Sequence, residues 1–181
     1  IQPISIKRGV KEVGDFAFCN LPKLTAVELH SDLKIIGGGA FMNCTQLKTV
    51  TIPDSVTQIG AAAFEDCILL KSIVLPRNLT KIHARTFVQC AKLQTINLGN
   101  IATVADDAFV GCNIPINVST EGNCDLHFLC VLGRRYMKEQ NAEKALQLFK
   151  KASDGGEPEG SFEIGKCYLQ GQGLEQNKEE G

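Results

Sequence analysis

The chain has 181 residues, of which 44% are hydrophobic and 22% are charged, so it can bury a core in one or two domains. Its formal net charge of −1 disfavours nucleic-acid binding, which usually needs a basic excess. No apolar run approaches the ~18 residues of a membrane span, so the sequence predicts no spanning segment. The chain starts without Met and stops within a repeat pattern, and we expect it to be part of a longer protein.

Phenylalanine recurs through the first two thirds of the chain at a nearly constant interval. The intervals are 23, 23, 23 and 22 residues, between Phe18, Phe41, Phe64, Phe87 and Phe109. Cysteine follows the later phenylalanines at a fixed distance, at Cys44, Cys67, Cys90 and Cys112. Columns of Leu, Ile and Val keep the same period. A unit of this length cannot enclose its own core, so the period predicts units that stack into a solenoid with continuous apolar columns.

Each unit contains the same succession of local patterns. Leu-x-x-Val-x-Leu alternates like a strand with one buried face, and a residue such as Pro53 or Pro76 ends it. A second short apolar stretch follows, as in Val56 to Ile59. Ala-Phe-x-x-Cys then predicts one helical turn that points its Phe inward.

The segment GGGAFMNCTQLKTVTIPDSVTQIGAAAFEDCILLKSIVLPRNLTKIHARTFVQC resembles the BspA-like class of leucine-rich repeats. The resemblance covers about residues 10–118. It implies a β-rich, right-handed leucine-rich-repeat solenoid of about five ~23-residue coils, in a domain that spans 1–120. It also implies a surface for adhesion or protein binding. Ile116 and Val118 are interpreted as a shortened final strand that closes the stack.

From residue 121 to residue 181 the periodicity is helical. The segment LGRRYM, which begins at Leu132, is echoed by IGKCYL, which begins at Ile164. Between them, Ala145, Leu148, Phe149 and Ala152 have the i, i+3, i+4, i+7 spacing of an amphipathic helix. Gly155 and Gly156 are expected to end this helix, and Pro158 suits the first turn of the next one.

This second pattern resembles the Sel-one-like repeats, which are related to tetratricopeptide repeats. The matching residues are Leu132, Gly133, Tyr136, Lys144, Ala145, Leu148, Phe149, Lys151, Ala152, Gly155, Ile164, Gly165, Tyr168 and the loop Gly171-Gln172-Gly173-Leu174. The resemblance implies an α/α helical-hairpin segment of one and a half units that serves as an adaptor for protein complexes. The Gly at the second position of the motif is expected to let neighbouring helices approach closely.

The eight cysteines allow two interpretations. A disulfide framework is one, and a column of small buried free thiols is the other, which we favour because a column shared by every coil needs no pairing. Cys124, His127 and Cys130 have the spacing C-x2-H-x2-C, which admits a metal site, although ordinary packing is the favoured interpretation.

Other polar motifs are interpreted as structural. The triplet Gly37-Gly38-Gly39 lacks the Lys-Ser/Thr of a phosphate loop and predicts a tight turn. Asp106 and Asp107 are interpreted as a solvated turn. We therefore expect no enzyme activity, no cofactor and no metal.

The variable positions on the strands are expected to point outward and to form a small, polar face without aromatic side chains, with Lys48 and Lys71 at its centre. The residues assigned to this face are Thr25, Glu28, Lys48, Thr49, Thr51, Lys71, Ser72, Val74, Gln94, Thr95 and Asn97, together with Ala26. Such a face suits a protein partner better than nucleic acid or carbohydrate, which use aromatic platforms. A solvated face without a partner is the alternative.

The sequence thus predicts a non-catalytic protein–protein interaction scaffold. A secreted or cell-surface adhesin is one alternative, and a regulatory arm of a larger signalling enzyme such as a kinase is another. Free thiols favour the cytoplasm over the cell surface. The identity of the partner and the oligomeric state remain open.

Overall fold

The computed structural model describes residues 3–96, 101–113 and 125–171. The chain divides into two compact units, Ile1–Cys124 and Asp125–Gly181. The described part of the first unit consists of strands and turns, and that of the second consists of three α-helices and their connections. The change to a helical periodicity in the sequence is therefore also a change of secondary structure.

The first unit is built from short parallel strands in two ladders. The strands are β1 (Ile4–Ser5), β2 (Glu12–Val13), β3 (Val27–Glu28), β4 (Ile35–Ile36), β5 (Thr49–Thr51), β6 (Gln58–Ile59), β7 (Ser72–Val74), β8 (Lys81–Ile82), β9 (Thr95–Ile96) and β10 (Thr103–Val104). In the first ladder β1 pairs with β3, and β5, β7 and β9 form a sheet. In the second, β2, β4 and β6 form a sheet, and β8 pairs with β10. Odd- and even-numbered strands therefore lie in different sheets, as expected for a solenoid.

Strand partners come from equivalent positions of successive coils. Ile4 pairs with Val27, and Ser72 pairs with Thr95, in each case one full sequence period further on. In the last described coil Lys81 pairs with Thr103, a slightly shorter step that matches the shorter final interval between phenylalanines. The sequence period is thus the separation between neighbours in the ladder.

The core consists of the predicted inward columns. Val50, Ile73 and Ile96 lie side by side across β5, β7 and β9, and each is at most 4% exposed. The rings of Phe18, Phe41, Phe64, Phe87 and Phe109 form a stack with centroid separations of 5.2–5.7 Å and interplanar angles of 8–16°. The prediction that each coil points its Phe inward is confirmed, with Phe18 half-buried at the first position of the stack.

The segment around each Phe is a succession of turns rather than the predicted helical turn. The amide groups of Phe64 and Asp66 donate to the carbonyl oxygens of Thr86 and Val88 in the next coil, both at 2.9 Å. Left-handed residues bracket the segment, for example Ala62 at φ 56° and Asp66 at φ 58°. The prediction of a helical turn was wrong because alternate amides donate hydrogen bonds to the neighbouring coil. In a helix these amides would donate within the segment itself.

The cysteine column has a hydrogen-bonding role between coils. The thiol of Cys67 donates to the carbonyl oxygen of Phe41 at 3.3 Å, and that of Cys90 donates to Phe64 at 3.2 Å. Cys44 and Cys112 make the same bond to Phe18 and Phe87. Every cysteine among the described residues is a free thiol. The small, weak donor therefore satisfies a buried carbonyl of the preceding coil.

The solenoid begins earlier than residue 10, where the sequence resemblance begins. Ile4 lies in β1 opposite Val27, and Ile6 is only 7% exposed. These two isoleucines lie one period before Val27 and Leu29. That spacing is the sequence pattern that could have indicated the earlier start of the solenoid. The predicted closing strand at Ile116 and Val118 lies outside the described residues.

The second unit contains α1 (Leu126–Lys138), α2 (Ala142–Asp154) and α3 (Pro158–Leu169). Asp125 and Asn141 cap α1 and α2, because their side chains accept hydrogen bonds from amides in the first turn. The predicted stripe of α2 is confirmed, since its buried residues are Ala145, Leu148, Phe149 and Ala152. Pro158 opens α3 as expected.

The motif glycines of α1 and α3 have different surroundings. A Cβ at Gly133 would overlap the ring of Phe149 from α2, so the expected close approach of helices occurs there. Among the described residues, a Cβ at Gly165 would meet nothing within 4 Å, so the same close approach is not seen in that part of the chain. The loop from Gln172 to Leu174 lies outside the described residues.

Candidate protein-binding face

The outward side chains on and just before the odd-numbered strands form a continuous surface, which we call the sheet face. Its described side chains are those of Thr25, Ala26, Glu28, Lys48, Thr49, Thr51, Lys71, Ser72, Val74 and Gln94. Thr25, Ala26 and Ser72 are half-buried, and the other members are exposed. Thr95 continues the backbone ladder beside Ser72. Asn97, also assigned to this face from the sequence, lies outside the described residues.

The register of the strands arranges these positions in rows across the coils. One row contains Ala26, Thr49, Ser72 and Thr95, which pair in succession. A second row contains Glu28, Thr51 and Val74, and Thr51 pairs directly with Val74. Neighbours in a row are about 4.8 Å apart, the usual strand spacing. The face therefore presents small polar groups at regular intervals, with the exposed Val74 among them.

Lys48 and Lys71 are the two middle members of the row just before the strands, between Thr25 and Gln94. Both precede their strands, because β5 begins at Thr49 and β7 begins at Ser72. The amide of Lys71 donates to the carbonyl oxygen of Lys48 at 2.8 Å, so their backbones are adjacent. Two exposed cationic chains thus start from neighbouring coils and flank the hydroxyl row.

A shallow depression of about 310 Å³ lies at one side of this face. Its lining residues are Ala26, Val27, Glu28, Leu29, Thr49, Thr51 and Pro53. It lies between β3 and β5, where pairing reduces to the bridge between Ala26 and Thr49. Glu28 supplies a carboxylate, and Thr49 and Thr51 supply hydroxyls. No sequence pattern indicates this feature, because it depends on how tightly two coils pair.

An apolar recess of about 410 Å³ lies beside the first coils. Its lining includes Ile4, Ile6, Val10, Val13 and Phe18. Most of these belong to core columns at the first described coils of the stack. The recess is therefore a continuation of the core columns rather than a separate site.

The glycine triplet has a packing explanation. A Cβ at Gly37 would lie 2.6 Å from the amide nitrogen of Asp15 in the preceding coil. Gly39 has φ +58°, and a Cβ there would overlap the ring of Phe16. The carboxylate of Asp15 accepts a hydrogen bond from the amide of Gly38 at 2.6 Å. The predicted tight turn is confirmed, and close contact between coils is its cause.

Asp107 has a similar role between coils. Its carboxylate accepts a hydrogen bond from the amide of Arg85, at 3.2 Å, in the preceding coil. Asp15 and Asp107 are thus backbone caps, and the simple solvated turn that the sequence suggested for Asp106 and Asp107 was incomplete.

The residues of the C-x2-H-x2-C motif have other contacts in the helical unit. The Nδ1 atom of His127 lies 2.8 Å from a carboxylate oxygen of Glu159. Burial, followed by the nearby Glu159 carboxylate, raises the pKa of Cys130 to about 11. Cys124 lies outside the described residues. Within the part of the chain that the structure describes, three or more potential metal ligands do not converge.

Among residues 3–96, 101–113 and 125–171, no helix has both the length and the apolar character needed to cross a bilayer.

Short parallel strands in two ladders, with stacked Phe and Cys columns, define the class of the first unit as a leucine-rich-repeat solenoid. The BspA type Leucine rich repeat region family matches residues 1–115 in six copies. The chain therefore belongs to the BspA type leucine-rich-repeat family. The sequence predicted about five coils, and the family model counts six copies. The match ends at residue 115, so it gives no support to the Sel-one-like resemblance of the helical segment.

Two solved structures share this fold. A leucine-rich repeat protein from Bacteroides ovatus is 34% identical, with a TM-score of 0.58, over 61% of this chain and 30% of that one. The T. pallidum leucine rich repeat protein is 29% identical, with a TM-score of 0.57, over 68% of this chain and 67% of that one. The chain thus spans less than a third of the Bacteroides protein. No curated protein matches the chain.

A third solved structure is a leucine rich cell surface protein from Faecalibacterium prausnitzii. It is 20% identical, with a TM-score of 0.38, over 69% of this chain and 58% of that one. An identity and a TM-score this low support no conclusion about the present chain. The cytoplasmic location favoured by the sequence likewise has no support from these comparisons.

Proposed function

We propose that the chain is a non-catalytic protein-interaction scaffold that binds a protein partner through the sheet face. The observation that carries this proposal is the row arrangement itself. Thr49, Thr51 and Val74 are fixed in register by the backbone ladder, so a partner meets a preorganised surface. Glu28 and the depression beside it add a carboxylate and a recess.

Family membership supports the same class of function. Leucine-rich repeats of the BspA type are consistent with protein interaction or adhesion and are typically non-enzymatic. The right-handed winding and the ~23-residue coil length are part of the proposal. So is the division into a solenoid over 1–120 and a helical segment over 121–181.

For the helical unit we propose an adaptor role of the Sel-one-like kind. The support is internal to the chain, because α1 and α3 carry the same motif and α2 packs between them. An adaptor of this kind would recruit a second partner independently of the sheet face.

The sheet-face proposal is tested by charge reversal. The double variant Lys48→Glu, Lys71→Glu inverts the flanking charges without touching the core, because both side chains are exposed. A partner identified by affinity capture and mass spectrometry should bind this variant at least tenfold more weakly in a purified titration. Thr51→Arg, which fills the depression, should weaken binding to a similar extent.

The matched control lies on the second ladder. Lys34 and Lys81 are exposed beside β4 and on β8, so Lys34→Glu with Lys81→Glu makes the same charge change on other strands. This control should bind the partner like the wild-type chain. Equal weakening in both double variants, or in neither, would place the site away from the sheet face.

The location of the protein follows from a separate measurement. A cytoplasmic scaffold should give eight reactive thiols after denaturation without reductant, one for each cysteine. Fewer thiols, in protein isolated from its source under conditions that block exchange, would favour the cell-surface adhesin.

A further inference from the structure

The depression between β3 and β5 combines one carboxylate with hydroxyls and apolar walls. Glu28 supplies the carboxylate, and Thr49 and Thr51 supply the hydroxyls. Leu29 and Pro53 contribute half-buried apolar surface. The volume of about 310 Å³ is at the lower limit of the ~300–1,000 Å³ that small-molecule sites occupy. A shallow depression of this size therefore suits one side chain of a partner better than an enclosed metabolite.

The carboxylate of Glu28 is available to a ligand. Other carboxylates of the solenoid are used between coils. Asp15 accepts a hydrogen bond from the amide of Gly38, and Asp32 accepts one from the amide of Gly9. In the part of the chain that the structure describes, no hydrogen bond or ion pair engages the exposed side chain of Glu28. This carboxylate therefore lies beside apolar surface without an internal cation.

Two cations lie across the hydroxyl row from this carboxylate. Lys48 and Lys71 are exposed on adjacent coils, and neither forms an ion pair with a described residue. Lys48 lies three residues before Thr51, which is the counterpart of Glu28 in the next coil. Three residues along a strand and one strand spacing place the Cα atoms of Glu28 and Lys48 about 11 Å apart.

We propose that the sheet face binds an extended segment of a partner protein that carries an arginine and, three residues away, an aspartate or a glutamate. The aliphatic stem of the arginine lies on Leu29 and Pro53, and its guanidinium binds the carboxylate of Glu28. The acidic side chain faces Lys48 and Lys71. An extended chain advances ~3.3 Å per residue, so three residues span the distance between the two charged ends of the site. This inference rests on the sheet-face proposal and names the chemistry of the partner.

The chemistry of the depression favours arginine over lysine. A guanidinium binds a carboxylate through two parallel hydrogen bonds, and it is less strongly hydrated than an ammonium group, so apolar walls oppose its entry less. The hydroxyls of Thr49 and Thr51 can accept hydrogen bonds from its other N–H groups. A uniformly anionic ligand such as a nucleic acid would be repelled by Glu28. The opposite charges on the two sides of the face therefore favour a protein segment.

The test uses the full chain as the target for a displayed library of random peptides. The selected peptides should share an arginine three residues from an aspartate or a glutamate. Selection against Glu28→Arg should lose the preference for arginine. Glu12→Arg is the matched control, because Glu12 is exposed on β2 and the substitution makes the same charge change on the second ladder. Selection against this control should keep the arginine.

Charge exchange with a synthetic copy of the most enriched peptide then identifies the pairs. By fluorescence anisotropy, its affinity should fall at least tenfold for Glu28→Gln, which removes the charge and keeps the size. A peptide with glutamate in place of the arginine should bind Glu28→Arg at least tenfold more tightly than it binds the wild type. A peptide with lysine in place of the acidic residue should recover binding to the variant Lys48→Glu, Lys71→Glu. Recovery by exchanged charges requires direct coupling between the two groups.

The outcomes separate this inference from the sheet-face proposal. Absence of enriched peptides, enrichment without the arginine, or an equal response of Glu28→Arg and Glu12→Arg would overturn the inference. Peptides that lack the arginine but fail to bind Thr51→Arg contradict only the chemistry of the partner and leave the sheet face as the site. Peptides that bind Thr51→Arg and the variant Lys48→Glu, Lys71→Glu like the wild type count against both proposals.

Discussion

Phe64→Ala should be among the most destabilising single substitutions in the solenoid. Phe64 is 0% exposed, and its ring stacks between Phe41 and Phe87 with centroid separations of 5.4 and 5.7 Å. Truncation of a buried Phe costs ~3–5 kcal/mol through lost transfer free energy and the remaining cavity. Each stacked pair contributes a further ~0.5–1.5 kcal/mol beyond buried area. The loss is comparable with the ~5–15 kcal/mol that stabilise a typical domain.

Two companion variants separate the contributions. Phe64→Leu keeps most of the apolar volume but loses both ring pairs, so it should cost ~1–3 kcal/mol. Phe18→Ala should cost roughly half as much as Phe64→Ala, because Phe18 is half-buried and stacks on Phe41 at 5.4 Å as the first ring of the stack.

The assay is hydrogen exchange by mass spectrometry along a urea gradient, which reports the free energy of opening region by region. Peptides from the strands around residue 73 should show the loss, and peptides from α1 and α2 should not, since these belong to the other compact unit. Equal costs for Phe18→Ala and Phe64→Ala would refute the argument from the stack. Equal costs for Phe64→Leu and Phe64→Ala would refute the cavity contribution.

The remaining predictions concern the thiols and a helix cap. Burial raises the pKa of Cys44 and of Cys67, so both stay protonated in the folded chain at pH values where the unfolded chain has lost these protons. The contribution of these thiols to the free energy of unfolding should be fully present below the ordinary thiol pKa of about 8.5. Above that pH the free energy of unfolding should fall by up to ~1.4 kcal/mol per pH unit per thiol. Urea titrations of the wild type and of Cys67→Ala at several pH values measure this pH dependence. An equal slope of unfolding free energy against pH in the variant would contradict the prediction. Asn141→Ala removes the acceptor for the amide of Lys144 at 3.3 Å and should cost the helical unit ~1 kcal/mol, measured by circular dichroism against Asn141→Asp.

The sequence predicted the solenoid and its core because a repeated apolar position must meet the same environment in every coil. The columns of Phe64 and Val50 are buried for this reason. It did not predict the turns around each Phe, because the left-handed residues there include Ala62 and Arg85 as well as glycine. The hydrogen bonds between coils, rather than local preference, stabilise these conformations.

The candidate surfaces were predictable only in part. The exposed side chains of the sheet face follow from strand alternation, and their rows follow from the period. The depression between β3 and β5 does not, because it depends on pairing reduced to the bridge between Ala26 and Thr49. Likewise, the repeated motif located Gly133 and Gly165, but only the packing shows that Phe149 lies against the first and that no described residue lies against the second.

The atoms that stabilise the solenoid differ from those that the sheet-face proposal uses for recognition. Inward columns, backbone ladders and the thiol–carbonyl bonds hold the coils together, and none of them uses the side chains of Lys48, Thr51 or Lys71. Substitution of exposed side chains away from such contacts usually changes stability by less than ~0.5 kcal/mol. The sheet face can therefore vary without loss of the fold. For the same reason, a loss of partner binding in these variants reports on recognition rather than on unfolding.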